Sequence, residues 1–125
     1  MNKKNSAKAW FKKGCWYGSD PSQIQNAVAA YKESVKLDNT FADAYVNLGF
    51  LYLKQEAYED AVSCFQKVVD LEGNKPEAYN NLGYAYEKME RFGSAKQRYE
   101  RTLELDPHDL EAMISIAHIE DLEGN

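Results

Sequence analysis

The chain has 125 residues, 44% of them hydrophobic and 28% charged, which fits one globular domain and excludes a disordered or fibrous class. Its net charge is −5, yet Lys3, Lys4, Lys8, Lys12 and Lys13 open the chain with no acid among them, so the rest is strongly acidic. An acidic body disfavours non-specific contact with nucleic acid or anionic membranes, and neither is expected as a partner.

Seven helices are predicted, taken here in chain order. Residues 1–6 read as a flexible, lysine-bearing terminal segment. From Ala7, the spacing of Trp10, Gly14 and Tyr17 marks a first helix, and "SDPSQ" supplies a cap and a start for a second carrying Ala27, Tyr31 and Leu37. Residues 42–75 repeat that plan, with Tyr45, Leu48, Gly49 and Tyr52 on one helix and Ala61, Phe65 and Val68 on the next. Residues 76–109 repeat it again, from Pro76 through Tyr79, Leu82, Gly83 and Tyr86 to Ala95 and Tyr99. A last helix begins at Leu110. No segment alternates with period two, so no strand is expected.

The copies are close. Residues 42–75 and 76–109 align without a gap at ten identities, and "AYVNLGFLY" at 44–52 returns as "AYNNLGYAY" at 78–86. The copy at 7–41 has one extra residue, in "GSDPSQ". Each glycine lies inside a helix, where it costs about 0.5–1 kcal/mol relative to alanine. Its recurrence implies close packing, with Gly49 and Ala61 expected where the two helices of a unit cross.

These columns resemble the tetratricopeptide repeat, a 34-residue helix–turn–helix unit with a W-x2-L-G-x2-Y, A-x3-F, P pattern. The pattern reads Trp10, Lys13, Gly14, Tyr17, Ala27 and Tyr31, then Tyr45, Leu48, Gly49, Tyr52, Ala61 and Phe65. It reads a third time as Tyr79, Leu82, Gly83, Tyr86, Ala95, Tyr99 and Pro107. Lys13 departs from the usual Leu, and Asn39 and Gly73 stand where Pro is common. The resemblance implies an all-α fold, a right-handed α-α superhelix of three units (7–41, 42–75, 76–109) with a C-terminal capping helix or truncated fourth unit at 110–125. In that last helix Met113, Ile116 and Ala117 are expected to pack back on the third unit. Glu120 replaces the Tyr of the earlier copies, as a solvating cap or where a longer array was cut.

Residues suited to catalysis are scarce. The two histidines, His108 and His118, lie far from any paired Ser or Cys, and no GxxxxGK or GxGxxG loop occurs. Glu111, His118 and Asp121 share a helix, but acid–histidine groupings arise readily on acidic helices, and no metal is expected. No cofactor and no enzymatic activity are expected. Cys15 and Cys64 stand 49 residues apart without a CxxC, which suits a reducing compartment. With no signal peptide or long apolar run, the expectation is a cytoplasmic protein.

Stacked helix pairs leave their first helices lining a groove. If Tyr45, Leu48, Gly49 and Tyr52 point into the stack, helical spacing turns Asp43, Val46, Asn47 and Phe50 to the groove. The matching sets are Lys8, Phe11, Lys12 and Cys15; then Glu77, Asn80, Asn81, Tyr84 and Glu87; then Glu111, Ile114, Ser115 and His118. Asn47, Asn81 and Ser115 form a ladder suited to a peptide backbone. Phe11, Val46, Phe50, Tyr84 and Ile114 form an apolar floor. Lys8 and Lys12 mark one end, and Asp43, Glu77, Glu87 and Glu111 the rest.

The expected function is a protein–protein interaction adaptor that binds an extended peptide or amphipathic helix of a partner protein. Family members that hold the acidic tails of chaperones use two Lys, two Asn and one Arg. Those columns here hold Phe11, Cys15, Asn47, Glu77 and Asn81, so a chaperone tail is not expected. Two alternatives are a self-assembly module acting through its end helices and a regulatory arm of a larger protein or enzyme.

Overall fold

Helix follows helix at intervals set by capping and turn residues. The computed structural model describes residues 1–124, which contain seven α-helices and no strand. They are α1 (Lys3–Gly18), α2 (Ile24–Leu37), α3 (Ala42–Lys54), α4 (Tyr58–Leu71), α5 (Pro76–Lys88), α6 (Phe92–Leu105) and α7 (Leu110–Leu122). Asn2 caps α1, its Oδ1 accepting from the Asn5 N–H at 2.8 Å, so the segment expected to be flexible is helical from Lys3. Asp20 accepts from Ser22 N at 3.0 Å, and Pro21 opens a short 3-10 turn, Pro21–Gln23, ahead of α2. Asp109 caps α7 through the Ala112 N–H at 2.9 Å.

The α3–α4 and α5–α6 turns share one device. The Ala57 N–H reaches back to Tyr52 O at 2.8 Å and the Glu56 N–H to Leu53 O at 3.0 Å, which is the Schellman pattern. Arg91 and Glu90 repeat it on Tyr86 and Glu87. The residue that must turn left-handed is normally glycine. Here it is Glu56 and Glu90, both at φ 59°.

Each helix packs chiefly on its neighbours in sequence, so the chain is a linear stack. Its core falls into three clusters, each joining one helical hairpin to the next. Ala27, Val28 and Tyr31 of α2 meet Leu48 and Leu51 of α3 and Cys64 of α4. Ala61 and Phe65 of α4 meet Leu82 and Ala85 of α5, and Ala95 and Tyr99 of α6 meet Ala112 and Ile119 of α7. Tyr52 borders the first two clusters and Tyr86 the last two, so these tyrosines couple adjacent units. Buried hydroxyls also tie a second helix to the start of its first: Ser34 Oγ donates to Ala7 O at 2.8 Å, and Thr102 Oγ1 lies 3.5 Å from Pro76 O.

The glycine column is explained by rings. A Cβ on Gly14, Gly49 or Gly83 would lie 2.6, 2.7 or 2.9 Å from the ring of Tyr31, Phe65 or Tyr99. The close partner is therefore the aromatic four residues beyond Ala27, Ala61 and Ala95, rather than the alanine expected at the crossing.

The ends differ from the interior units. Lys13, where Leu is usual, is exposed because no helix packs on that face of α1 among the described residues, and its Nζ sits 5.0 Å from the Trp10 ring centroid. At the other end Ala112 and Ile119 are buried and Ile116 packs beside them, whereas Met113 and Ala117 are exposed. Ala117 occupies the glycine column, whose partner is a ring on the following helix, and no such helix packs on α7 among the described residues.

Candidate ligand groove

The first helices of the hairpins present one repeated stripe. Positions i, i+4, i+7 and i+11 share a helix face at 3.6 residues per turn. On α3 they are Asp43, Asn47, Phe50 and Lys54; on α5 they are Glu77, Asn81, Tyr84 and Lys88. Side by side, these stripes give bands across the surface: an acidic edge, an amide row, an aromatic row and a lysine edge. α1 contributes Lys8, Lys12 and Cys15, with Ser19 as its C-cap, and α7 contributes Glu111, Ser115, His118 and Leu122.

The aromatic row is open. Phe50 is 39% exposed and Tyr84 44% exposed, although Phe50 also stacks edge-on against Phe65 with ring centroids 5.2 Å apart. A cleft of about 350 Å3 runs from Cys15, Tyr31 and Asn47 to Phe50, and a larger one of about 570 Å3 continues from Phe50 and Leu53 to Tyr84, Lys54 and Lys88.

The amide row is not uniform. Asn47 Nδ2 donates to Tyr31 Oη at 3.2 Å, and that hydroxyl in turn donates to Cys15 Sγ at 3.3 Å. Burial, and then the bond to Cys15, pushes the Tyr31 hydroxyl up to about 12. One unit on, the ring in the same place is Phe65, which has no hydroxyl, and among the described residues Asn81 makes no side-chain hydrogen bond. In the third unit, Tyr99 donates to Glu87 Oε1 at 2.8 Å. Burial and this carboxylate raise the pKa of its hydroxyl further. Glu87 is thus held by the stack.

Most of the expected groove residues reach the surface. Lys8, Lys12, Cys15, Asp43, Phe50, Glu77, Tyr84, Glu111, Ile114 and His118 are exposed, and Val46, Asn47, Asn81, Glu87 and Ser115 are half-buried. Two depart from expectation. Asn80, 8% exposed, donates its amide to Asp109 Oδ2 at 3.2 Å, while its own Oδ1 has no partner. Phe11 is half-buried, its ring 4.9 Å from Phe41 and 5.7 Å from Tyr31. Phe41 and Asp109 are the N-cap residues of α3 and α7, so this column meets the start of the next first helix. It belongs to the seam between units.

The polarity also differs from the expected lengthwise gradient. Asp43 and Lys54, like Glu77 and Lys88, lie about 16 Å apart at 1.5 Å per residue, so the charge changes sign across the groove as well. Lys54 and Lys88 were not foreseen, although their i+11 spacing from the acids carries the signal. Among the described residues, ion pairs join Lys75 to Glu72 and Arg101 to Glu104, and neither involves this surface. No cluster of three or more His, Cys, Asp or Glu with metal-binding geometry occurs among the described residues.

A linear stack of helical hairpins with a shared face of first-helix side chains defines a helical-repeat binding scaffold. The tetratricopeptide repeat model matches residues 40–108, and a second repeat model matches residues 22–56. The chain belongs to the tetratricopeptide repeat family, and its stack is the right-handed α-α superhelix of that family. No curated protein sequence matches it. The first repeat domain of Spaghetti (RPAP3), solved with the HSP90 peptide SRMEEVD, is 24% identical over 98% of this chain and 96% of that one, with a TM-score of 0.87. The second repeat domain of human RPAP3, in complex with the HSP70 peptide SGPTIEEVD, is 24% identical over 94% and 95%, with a TM-score of 0.81. A MamA structure is 28% identical over 96% of this chain and 70% of its own, with a TM-score of 0.88. No helix is long and apolar enough to cross a membrane among the described residues.

Proposed function

We propose that this protein-interaction module acts as a non-catalytic adaptor and binds a peptide or helix of a partner protein along the faces of α3 and α5. The observation that carries the reading is the exposed aromatic row of Phe50 and Tyr84 beside the uncommitted amide of Asn81. Buried apolar anchors beside a backbone-binding amide are what an extended ligand needs. The RPAP3 domains hold acidic chaperone peptides on the same fold, but exposed Glu77 in one clamp column here would repel a carboxylate. The ligand is therefore assigned to a different chemistry of the groove.

Replacing Asn81→Ala together with Tyr84→Ala should abolish capture of partners in pull-downs with mass spectrometry, while the helical melting curve stays close to wild type. Unchanged capture by this double variant would falsify the groove reading.

A second reading rests on α7. Leu110, Met113, Ile114 and Leu122 are exposed on one short helix, a concentration of apolar surface that suits contact with another helix. A mass that rises with concentration in light scattering, and falls for Met113→Glu, would support self-association through that helix.

A further inference from the structure

We propose that the cleft between Phe50 and Tyr84 selects an internal segment of a partner in which an apolar side chain is closely flanked by acidic residues. The apolar group lies between the two rings, and the side-chain carboxylates reach Lys54 and Lys88. This inference rests on the groove reading and adds the ligand's chemistry.

Three observations carry it. The cleft, of about 570 Å3, is floored by Phe50, Leu53 and Tyr84, and it is bordered by both lysines. That is room for a side chain and the backbone around it. Both lysines are exposed, and neither is in an ion pair among the described residues. Lys88 Nζ sits 5.9 Å from the Tyr84 ring centroid, so the cation hangs over the cleft rather than turning away from it. Glu56 borders the same cleft as one acid against two bases, and Glu87 is already bound by Tyr99.

The opposite edge repels the same ligand, and distance decides which edge acts. Asp43 and Glu77 lie about 16 Å from the lysines along their helices, beyond the Debye length of about 8 Å at physiological salt. A carboxylate beside Lys54 and Lys88 is therefore governed by those two charges. One beside Glu77 meets that acid at close range. The site is also distinct from the chaperone clamp, whose columns hold Phe11, Cys15, Asn47, Glu77 and Asn81. Lysine in a last helical turn also complements the helix dipole, so a loss of stability in lysine variants would say nothing about ligands. Binding must be the readout.

The test is selection from a random heptapeptide library displayed through its C-terminus, so that every probe is an internal segment without a free carboxyl end. Enriched peptides should carry an aromatic or aliphatic residue with Asp or Glu within two positions of it on either side. Synthesised with amidated ends, they should bind the Lys54→Gln, Lys88→Gln double variant at least tenfold more weakly and lose affinity as salt rises. Circular dichroism should show that variant folded. Enriched peptides that need Asn81 and Tyr84 but are basic, or are indifferent to the lysine pair, overturn this inference and leave the groove reading standing. A selection that enriches nothing, or peptides indifferent to Tyr84, overturns both.

Discussion

A single methyl group distinguishes what Gly49 does from what any other residue there would do. Alanine gains about 0.5–1 kcal/mol over glycine within a helix, but its Cβ would meet Phe65 Cε1 at 2.7 Å. Overpacking of this kind costs about 1–3 kcal/mol, so the clash outweighs the propensity. Gly49→Ala should lower the melting temperature, and Gly83→Leu should lower it more. An unchanged midpoint in either variant would contradict the packing account. Neighbouring asparagines differ in the same way. Asn47→Ala removes the amide that donates to Tyr31 and should cost about 0.5–1.5 kcal/mol in a denaturant titration, whereas Asn81→Ala should leave stability within error. The repeat made the two look equivalent. What separates them is the hydroxyl present on Tyr31 and missing on Phe65, a difference visible in the sequence only once the facing ring is known.

At the scale of the element, the helices and their order were legible because caps, prolines and 3.6-residue spacing agree along the chain. The flexible segment expected over residues 1–6 is helical from Lys3 because the Asn2 side chain caps α1. Side-chain direction was less legible. Asn80 looked like a groove residue by helical spacing, yet it turns to Asp109 because the next first helix begins beside it. Ala117 looked like a packing residue by column, yet the ring that would cover it belongs to a helix that does not pack on α7 among the described residues. The turns carry a testable strain. Glu90 holds a left-handed backbone at φ 59°, which costs a non-glycine residue about 1–2 kcal/mol. Glu90→Gly should therefore raise stability by about 0.5–1 kcal/mol after the glycine's own entropy is subtracted, and a loss of stability would show that the Glu90 side chain contributes more than its backbone costs.

Across the whole molecule, stability is distributed over three clusters, and coupling runs through the residues that join them. Cys64 lies in the cluster joining the first two units, where burial, with the Asp60 charge adding to it, pushes its thiol up to about 12. An acid whose folded pKa exceeds its unfolded value of about 8.5 stabilises the fold fully below that value. The contribution is lost as pH rises toward the folded value, at no more than about 1.4 kcal/mol per pH unit. Stability should thus begin to fall above about pH 8.5, with the raised hydroxyls of Tyr31 and Tyr99 adding to the fall as pH nears 10, and Cys64→Val should make the fall between pH 9 and 10 shallower; an equal slope in the variant would assign it elsewhere. The same stack that buries Cys64 leaves Lys54, Asn81, Tyr84 and Lys88 on one face of α3 and α5 without a side-chain hydrogen bond or ion pair among the described residues, and that separation is the central claim. It is tested most directly by titrating an isotope-labelled chain with a peptide selected on it and mapping the backbone amide shifts by NMR. The predicted result is a continuous set of shifts around Phe50, Lys54, Asn81, Tyr84 and Lys88. Shifts centred instead on the outer faces of α4 and α6, around Ser63, Asp70 and Gln97, would contradict it.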